Sequence, residues 1–203
     1  MTAADLKPYV DGAPDMIRRF EEIDSEALLS PIVAYLPDPP SRILDVGAGP
    51  GRDARWFAAR GHDVVAAEPV AAFRDHGIAL GRVTWIDDSL PDLCKVPAGD
   101  GFDLILAVGV WHHVPEGERA SALYRMADLL GPSGRIILAL RQGPKPRGPV
   151  IYPIDPAVEA ARAVSAGLGV EAMVHNASLQ MGNKNTGVTW CWAVFRKGDE
   201  NDE

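Results

Sequence analysis

The segment that most constrains the fold is a short apolar run that ends in an acid and leads into three closely spaced glycines. It extends from Ile43 to Asp53 and reads Ile-Leu-Asp-Val-Gly-Ala-Gly-Pro-Gly-Arg-Asp. Its apolar, β-branched start favours a strand, and the apolar stripe of Ala54, Phe57 and Ala58 after it favours a helix. Glycine lets the backbone approach a ligand closely, and a helix start offers unpaired N–H groups to an anion. The segment therefore predicts a strand, a tight turn and a helix that hold a small, partly anionic ligand.

The spacing of the glycines distinguishes two classes of ligand. Dinucleotide-binding turns have the form G-x-G-x-x-G, whereas this turn reads G-x-G-x-G, with an acid two residues before its first glycine. In this form it resembles the first motif of the class I S-adenosylmethionine-dependent methyltransferases. The resemblance implies that the turn and helix start receive the carboxylate of S-adenosylmethionine, while Asp45 or strand-end carbonyl groups suit its ammonium. The cofactor-binding residues expected here are Asp45, Gly47, Ala48, Gly49, Gly51 and Arg52.

Acids also follow the next two predicted strands. The run 62–68 predicts a strand that ends in Glu68, whose carboxylate can accept hydrogen bonds from both ribose hydroxyls. A short strand at 82–87 leads into two neighbouring acids, and the resemblance implies that one of them accepts from the adenine amine. Asp88 is favoured over Asp87 because the turn begins directly after the strand. The cofactor-binding residues expected in these two places are Glu68, Pro69, Asp87, Asp88 and Ser89.

Two further segments complete the resemblance, which covers residues 43 to about 142. The stretch 101–115 resembles the family's fourth motif, a buried strand that leads to the catalytic edge of the pocket. Ala107 and Val108, near the end of this strand, are expected at the cofactor. The stretch 129–140 resembles the helix end, glycine turn and fifth strand of the family.

A histidine pair stands just after the fourth predicted strand, at the mouth of the expected pocket. Adjacent residues of an extended segment point in opposite directions, so only one of His112 and His113 is expected to face the acceptor. An imidazole titrates near neutral pH, which makes His112 the candidate general base. The alternative is that the rings pack and that placing the acceptor suffices for methyl transfer. Trp111 is expected at the wall of the cofactor or acceptor site, with sheet packing as its alternative role.

The remaining acceptor contacts are expected at the end of the fifth strand and in the prefix. Arg141 begins a loop rich in proline and glycine that also contains Lys145 and Arg147. Each of these offers a positive charge to an anionic acceptor group, and the alternative is a solvated basic loop. Trp190 and Trp192 share one face of the last strand and are assigned to packing. The acceptor-contacting residues expected are Tyr9, Trp111, His112 and Arg141.

The order of predicted elements gives the fold class. Strands alternate with helices, which predicts an α/β fold with a doubly wound, mostly parallel sheet and helices on both faces. After a helix at 155–168, strands at 170–177 and 187–196 are separated only by the polar loop 178–186, so the last strand is expected to be antiparallel. The resemblance implies seven strands in the order 3-2-1-4-5-7-6. The earlier elements expected are strands 42–47, 62–68, 82–87, 102–109 and 134–141, and helices 51–60, 70–80 and 116–130.

Three regions of the chain differ in composition. Residues 1–40 are rich in proline and acids, and apolar residues at helical spacing within them predict a helical prefix. In the resembling family such a prefix lies across the pocket as a lid, and the alternative is that it only covers the sheet. Residues 41–198 are expected to form the S-adenosylmethionine-binding domain, and residues 199–203 a solvated acidic tail.

Bulk properties narrow the function. The net charge of −8 disfavours a broad nucleic-acid surface, which needs clustered Lys and Arg, so a small-molecule acceptor is expected. No apolar run is long enough to span a membrane and no Cys or His set has metal-ligand spacing, so we expect no membrane partner, no metal and a cytoplasmic location. The predicted activity is transfer of a methyl group to an O, N or S atom of this acceptor. The alternatives are a catalytically idle S-adenosylmethionine-binding module and an NAD-dependent oxidoreductase, which the glycine spacing and the terminal hairpin disfavour.

Overall fold

A computed structural model describes residues 3–145 and 148–198 of the 203-residue chain. The strands are β1 (Arg42–Val46), β2 (Asp63–Ala67), β3 (Thr84–Ile86), β4 (Phe102–Val108), β5 (Leu130–Gln142), β6 (Leu168–Ala177) and β7 (Thr189–Lys197). The α-helices are α1 (Ala3–Asp11), α2 (Ala13–Glu21), α3 (Ser25–Leu29), α4 (Arg52–Ala59), α5 (Ala71–Leu80), α6 (Arg119–Leu129), α7 (Pro156–Ser165) and α8 (Met181–Asn185). Short 3-10 helices cover Ser30–Tyr35, Trp111–His113 and Glu116–Glu118.

The strands of the described residues form one seven-stranded sheet in the order β3-β2-β1-β4-β5-β7-β6. β1 pairs in parallel with β2 and β4, and β4 pairs in parallel with β5. β7 runs antiparallel to both of its neighbours, β5 and β6. The order and the antiparallel β7 confirm the predicted fold. Because β6 consequently runs in the same direction as β5, the segment that joins β6 to β7 lies at the carboxyl edge of the parallel strands.

Both faces of the sheet are buried. On β1, Leu44 and Val46 belong to one apolar cluster, whereas Ile43 belongs to a second. The first cluster includes Leu123 of α6, and the second includes Phe57 of α4. Adjacent side chains of a strand point to opposite faces, so helices on both faces bury every side chain of an apolar run. This is why β4 is apolar from Leu104 to Val108 and does not alternate there with polar residues.

The amino-terminal prefix serves two parts of the molecule. α1 and α2 pack with α5 in a small apolar cluster that contains Phe73. Leu29 and Ile32 instead pack into the sheet cluster that α4 covers. Asp24 caps α3 by accepting a hydrogen bond from the N–H of Ala27 at 2.7 Å. The second half of the prefix thus covers the sheet, while its first half lies at the carboxyl edge of the parallel strands.

Several elements differ from those predicted. The helix expected at 116–130 begins as a 3-10 turn, and β5 begins at Leu130 instead of residue 134. The loop expected at 178–186 contains the short helix α8. α1 has no counterpart among the predicted elements because Pro8 lies inside it, and an internal proline normally argues against a helix.

Two predicted features, the basic residue Arg147 and the acidic tail 199–203, lie outside the described residues. Within the described ranges, no helix is long and apolar enough to cross a membrane. Over the same residues, no group of three or more His, Cys, Asp or Glu side chains is placed to hold a metal ion.

Candidate functional site

A cavity of about 270 Å³ lies at the carboxyl edge of the parallel strands. Its walls come from the prefix, the glycine turn after β1, the ends of β2 and β4, and the β6–β7 hairpin. Ligands of open α/β sheets bind at this edge, beside the strand where the order reverses. The predicted site residues that line the cavity are Tyr9, Asp45, Gly47, Ala48, Gly49, Arg52, Glu68, Pro69, Ser89, Val108, His112 and Arg141. Those that do not line it are Gly51, Asp87, Asp88, Ala107 and Trp111.

The glycine turn uses a backbone conformation that other residues rarely adopt. Gly47, Gly49 and Gly51 have φ angles of 66°, 56° and 87°. A Cβ on Gly47 would lie 2.7 Å from a methyl carbon of Val110, and a Cβ on Gly51 would lie 2.5 Å from the Trp85 ring. Gly47 and Gly49 form part of the cavity wall, whereas Gly51 allows the start of α4 to pack on Trp85, and its predicted contact with the cofactor stays a prediction.

Asp45 presents a buried carboxylate to the cavity. The residue is 3% exposed, and its Oδ2 has no hydrogen-bond partner among the described residues. Burial, followed by the nearby carboxylate of Asp53, raises the pKa of Asp45 to about 8, although Arg52 acts in the opposite direction. A cationic ligand group beside the open oxygen would relieve the cost of burying this carboxylate.

Glu68, just after β2, ties the glycine turn to the second strand. Its Oε2 accepts a hydrogen bond from the N–H of Gly49 at 2.9 Å, and its Oε1 accepts from the N–H of Val70 at 2.8 Å. Burial is the main cause that raises the pKa of Glu68 to about 7, and the two backbone bonds oppose it. Each carboxylate oxygen can accept another hydrogen bond. Glu68 therefore fixes the turn and still offers acceptor positions to a ligand.

Arg52 and Asp53 join the prefix to the glycine turn. The guanidinium of Arg52 donates to the two carboxylate oxygens of Asp53 at 2.8 and 2.6 Å and to the carbonyl of Phe20 at 3.1 Å. The hydroxyl of Ser25 donates to the same carboxylate at 2.6 Å. The charge of Arg52 is thus balanced by Asp53, and its side chain lines the cavity as part of this network.

The acids after β3 have partners outside the cavity. Asp88 accepts hydrogen bonds from the N–H groups of Ser89, Lys95 and Val96 at 2.8, 2.6 and 3.2 Å. Asp87 forms ion pairs at the surface. Neither acid lines the cavity, and the prediction that one of them accepts from the adenine amine stays a prediction. Asp88 holds the loop after β3, because three backbone N–H groups converge on it, and only Ser89 lines the cavity.

The side chains of His112 and His113 both face the cavity, but they differ in their hydrogen bonds. Trp111–His113 is a 3-10 turn, not the extended segment predicted, and both His112 and His113 line the cavity with ring centroids 4.2 Å apart. Nδ1 of His113 donates to the carbonyl of Val150 at 2.8 Å, since a carbonyl only accepts, so Nε2 accepts from the Tyr9 hydroxyl at 2.7 Å. Nδ1 of His112 is buried and has no partner among the described residues. His112 is the ring with an open nitrogen.

Both imidazoles are held in the neutral form near pH 7. Burial lowers the pKa of His112 well below its ordinary value, and His113 and Arg141 act in the same direction. Burial also lowers the pKa of His113, while its bond to Val150 opposes the shift. A neutral imidazole can accept a proton, but the lowered pKa also makes His112 a weaker base than an exposed imidazole, so a ligand group that stabilises its charged form would be needed for it to act as a general base.

Trp111 belongs to the core and not to the cavity wall. Its side chain has no exposed area and packs in the apolar cluster with Leu123 of α6. The tight turn after β4 directs residue 111 into the core and the next two residues toward the cavity. Ala107 is also fully buried in this cluster and makes no part of the wall. The packing role given as the alternative for Trp111 fits this position, and the predicted ligand contacts of both residues stay predictions.

The β6–β7 hairpin supplies wall residues that the sequence analysis missed. The indole Nε1 of Trp192 donates to Asn176 Oδ1 at 3.1 Å, and the rings of Trp190 and His112 lie 6.1 Å apart. Both tryptophans therefore line the cavity in addition to packing. The predicted strand order already implies this position, because it places the connection after β6 at the carboxyl edge. The lining residues of the hairpin include Asn176, Ser178, Asn183, Trp190 and Trp192.

Two ends of the cavity are distinguished by their residues. The part lined by Asp45, the glycine turn and Glu68 is called the glycine end. The part lined by His112, Arg141 and the β6–β7 hairpin is called the hairpin end.

Comparison with known proteins identifies the family. Residues 18–146, more than half of the chain, match the model of a family described as a methyltransferase domain. The protein belongs to the class I S-adenosylmethionine-dependent methyltransferase family. Methyltransferase GfsG of Streptomyces halstedii is 32% identical over 104 residues, which are 48% of this chain and 37% of that protein. An uncharacterized methyltransferase of Mycobacterium tuberculosis is 31% identical over 102 residues, 50% of this chain and 40% of that protein. The match thus spans less than half the length of these curated methyltransferases.

Solved methyltransferase structures share the fold over almost the whole chain. The 1,6-didemethyltoxoflavin-N1-methyltransferase of Burkholderia thailandensis, with bound 1,6-didemethyltoxoflavin and S-adenosylhomocysteine, has a TM-score of 0.76 at 22% identity and covers 97% of this chain and 89% of its own. The magnesium protoporphyrin IX methyltransferase of Synechocystis, with bound S-adenosylmethionine, has a TM-score of 0.70 at 17% identity and covers 98% and 100%. At these identities the likeness establishes the methyltransferase fold. Fold and family together remove the alternative of an NAD-dependent oxidoreductase.

Proposed function

We propose that this protein is an S-adenosylmethionine-dependent methyltransferase that transfers a methyl group to an O, N or S atom of a small-molecule acceptor. The observation that carries the proposal is the open Oδ2 of Asp45, a buried carboxylate oxygen without a partner in the described structure, beside a glycine turn in a methyltransferase fold. An unpaired buried carboxylate is costly to the folded protein, so its position indicates a ligand that supplies the missing partner. The ammonium of S-adenosylmethionine has the required charge.

The other residues of the glycine end fit the remaining groups of this cofactor. The turn and the start of α4 offer backbone N–H groups to its carboxylate. Glu68 offers carboxylate oxygens to the two ribose hydroxyls. When bound, S-adenosylmethionine supplies a methyl group on a sulfonium, which is already a good leaving group. The protein is therefore left with two tasks, which are to hold the acceptor in line and to exclude water.

The hairpin end is suited to the acceptor. His112 lines this end with a neutral imidazole, which is the group that would take a proton from an acceptor atom that must lose one. Trp190 and the neighbouring aromatic rings form an apolar wall that excludes water. The cavity of about 270 Å³ and the net charge of −8 both favour a small molecule over a nucleic acid.

The prefix completes the enclosure. Leu6, Tyr9 and Phe20 of α1 and α2 line the cavity, so the first half of the prefix lies in the position that a lid over the ligand would occupy. We propose that it opens to admit the cofactor and closes over it, which keeps the lid role predicted from the sequence.

Calorimetry on the purified, ligand-free protein tests the cofactor assignment. We expect S-adenosylmethionine and S-adenosylhomocysteine to bind and NAD and NADP to give no heat. Binding of NAD without binding of S-adenosylmethionine would contradict the proposal.

A screen of small-molecule acceptors, followed by formation of S-adenosylhomocysteine, tests turnover. It also decides between the enzyme and the idle binding module, because the latter binds the cofactor and transfers no methyl group. Binding without turnover on any class of O, N or S acceptor would favour the module.

A further inference from the structure

A second cavity, of about 290 Å³, adjoins the hairpin end of the first. The two cavities share His112 and Arg141, which line both. The rest of the second wall comes from the end of β5 with the residues after it, including Lys145, and from the stretch 151–154. That stretch is fixed to the histidine turn, because the N–H of Tyr152 donates to the carbonyl of His112 at 2.8 Å. His112 and Arg141 therefore stand between the two cavities, within reach of a molecule in either.

Arg141 lines both cavities and has no counter-charge among the described residues. Within residues 3–145 and 148–198, its guanidinium has no hydrogen bond or ion pair, although the side chain is half-buried. Burial alone lowers the pKa of Arg141, with no carboxylate to oppose the shift. Arg52, Arg119 and Arg135, by contrast, each pair with a carboxylate at 2.6 to 2.8 Å. A half-buried guanidinium with five unused donors is a binding group for an anion.

The charges of the site are separated along its length. The acids that line the first cavity, Asp45, Asp53 and Glu68, all lie at the glycine end. The second cavity has two cations, Arg141 and Lys145, and no carboxylate among its described lining residues. In a protein with a net charge of −8, such a pocket is a local exception. It selects for a ligand whose negative charge lies on the side away from the cofactor.

We infer that the methyl acceptor carries a carboxylate, which the guanidinium of Arg141 binds at the junction of the two cavities. The inference rests on the proposed methyltransferase function and adds the chemical class of its acceptor. A carboxylate fits better than a phosphate monoester, because one half-buried guanidinium balances one negative charge and the second cation, Lys145, is exposed. Trp190 lies opposite Arg141 in the register of β5 and β7 and lines the first cavity. Its ring gives the rest of the acceptor an aromatic surface. The acceptor is accordingly an aromatic or heteroaromatic carboxylate whose nucleophilic atom lies on the side of His112.

Matched pairs of probes that differ only in charge test this assignment. We would measure dissociation constants by calorimetry for 4-hydroxybenzoate against 4-hydroxybenzamide, and for indole-3-acetate against indole-3-acetamide, with and without saturating S-adenosylhomocysteine. In the parent protein each carboxylate should bind at least about ten-fold more tightly than its amide, the usual worth of one charge-assisted hydrogen bond. Arg141→Gln should remove this preference while the affinity for S-adenosylhomocysteine stays unchanged.

Arg135→Gln is the matched control. Arg135 lies on the same strand, six residues earlier, and pairs with Glu171 at the surface. This variant loses the same charge and should keep the parent's preference for the carboxylates. Equal binding of carboxylate and amide by the parent, no binding of either pair, or an unchanged preference in Arg141→Gln would each overturn the inference. Failure to bind S-adenosylhomocysteine would instead contradict the proposed function, and the measurements without it would still decide the role of Arg141.

Discussion

The two ends of the cavity bury groups of opposite charge. At the glycine end, burial raises the pKa of Asp45 to about 8 and that of Glu68 to about 7. At the hairpin end, burial lowers the pKa of His112 and of Arg141. Each shift disfavours the charged form, and each is relieved by a ligand group of the opposite sign. The difference agrees with the proposals that a cationic cofactor group lies at the glycine end and a carboxylate at the hairpin end.

The ends also differ in how the chain builds them. The glycine end comes from one contiguous segment, the turn after β1, with Glu68 from the neighbouring strand. The hairpin end joins α1, the histidine turn, the end of β5 and the β6–β7 hairpin, which lie far apart in the sequence. A contiguous turn is fixed by its own backbone geometry, whereas the hairpin end depends on packing between distant segments. We therefore expect substitutions at the glycine end to change cofactor affinity, and substitutions at the hairpin end to change turnover or stability.

The largest expected effect is on turnover at the hairpin end. His112→Ala removes the open imidazole nitrogen, and with an acceptor whose pKa lies above neutral we expect turnover to fall about 100-fold, the lower range for loss of a general base. The dissociation constant for S-adenosylhomocysteine should stay within about two-fold, because His112 lies outside the glycine end. Steady-state rates and calorimetry on the same preparation measure both.

His113→Ala is the control for this prediction. It breaks the bonds to Tyr9 and Val150, so we expect it mainly to lower the melting temperature. Turnover of His112→Ala equal to that of the parent would remove histidine from the mechanism and leave placement of the acceptor as the sole contribution of this end.

The next effect is on affinity at the glycine end. Glu68→Ala removes the acceptor of the Gly49 N–H and the proposed partner of the ribose, so we expect the free energy of cofactor binding to weaken by about 1–3 kcal/mol. Asp63→Asn is the control, because this exposed acid begins β2, at the opposite end of the strand from Glu68. Calorimetry with S-adenosylhomocysteine measures both variants. Equal losses in Asp63→Asn and Glu68→Ala would contradict a specific role of Glu68 in cofactor binding.

The same division explains which residues the sequence could predict. Asp45, the first two glycines of the turn and Glu68 line the cavity as predicted, because a strand end, a turn and a helix start are encoded within a few residues. Trp111 is the contrary case, since its apolar neighbours are equally compatible with a wall and with the core. The 3-10 turn that decides between them follows from tertiary packing and has no local signal.

Asp88 and Trp190 show two further limits of sequence reasoning. Asp88 meets the expectation of an acid after β3, yet its carboxylate is taken up by three backbone N–H groups that only the folded loop brings together. Trp190 lies opposite Arg141 in the register of β5 and β7. The predicted strand order already places β7 beside β5, so this pairing could have been predicted from the sequence. The partners of Asp88 could not.

A smaller effect concerns the pH dependence of stability at the glycine end. The pKa of Asp45 is raised in the folded protein, so the folded state binds more protons than the unfolded state between the unfolded value, near 4, and about 8. Stability of the ligand-free protein should therefore decrease as pH rises through this window, by up to about 1.4 kcal/mol per pH unit from this group. Asp45→Asn removes the titration, and melting curves at pH 6, 7 and 8 should show a flatter dependence than the parent. An unchanged slope would contradict the raised pKa.

The smallest effect is expected at Tyr9, which lies where the two ends meet. Its hydroxyl donates to His113 at the hairpin end, while burial and the carboxylate of Glu68 at the glycine end both raise the pKa of Tyr9. Tyr9→Phe keeps the ring and leaves Nε2 of His113 unpaired, so we expect a loss of about 0.5–1.5 kcal/mol in unfolding free energy.

If α1 acts as a lid, S-adenosylhomocysteine should protect the prefix of the parent from proteolysis and protect that of Tyr9→Phe less. The control is Tyr124→Phe, which removes a surface hydrogen bond of similar length, 2.8 Å to the carbonyl of Ser165, far from the cavity lining. Equal protection of the prefix in all three proteins would mean that α1 covers the cavity without closing over its ligand.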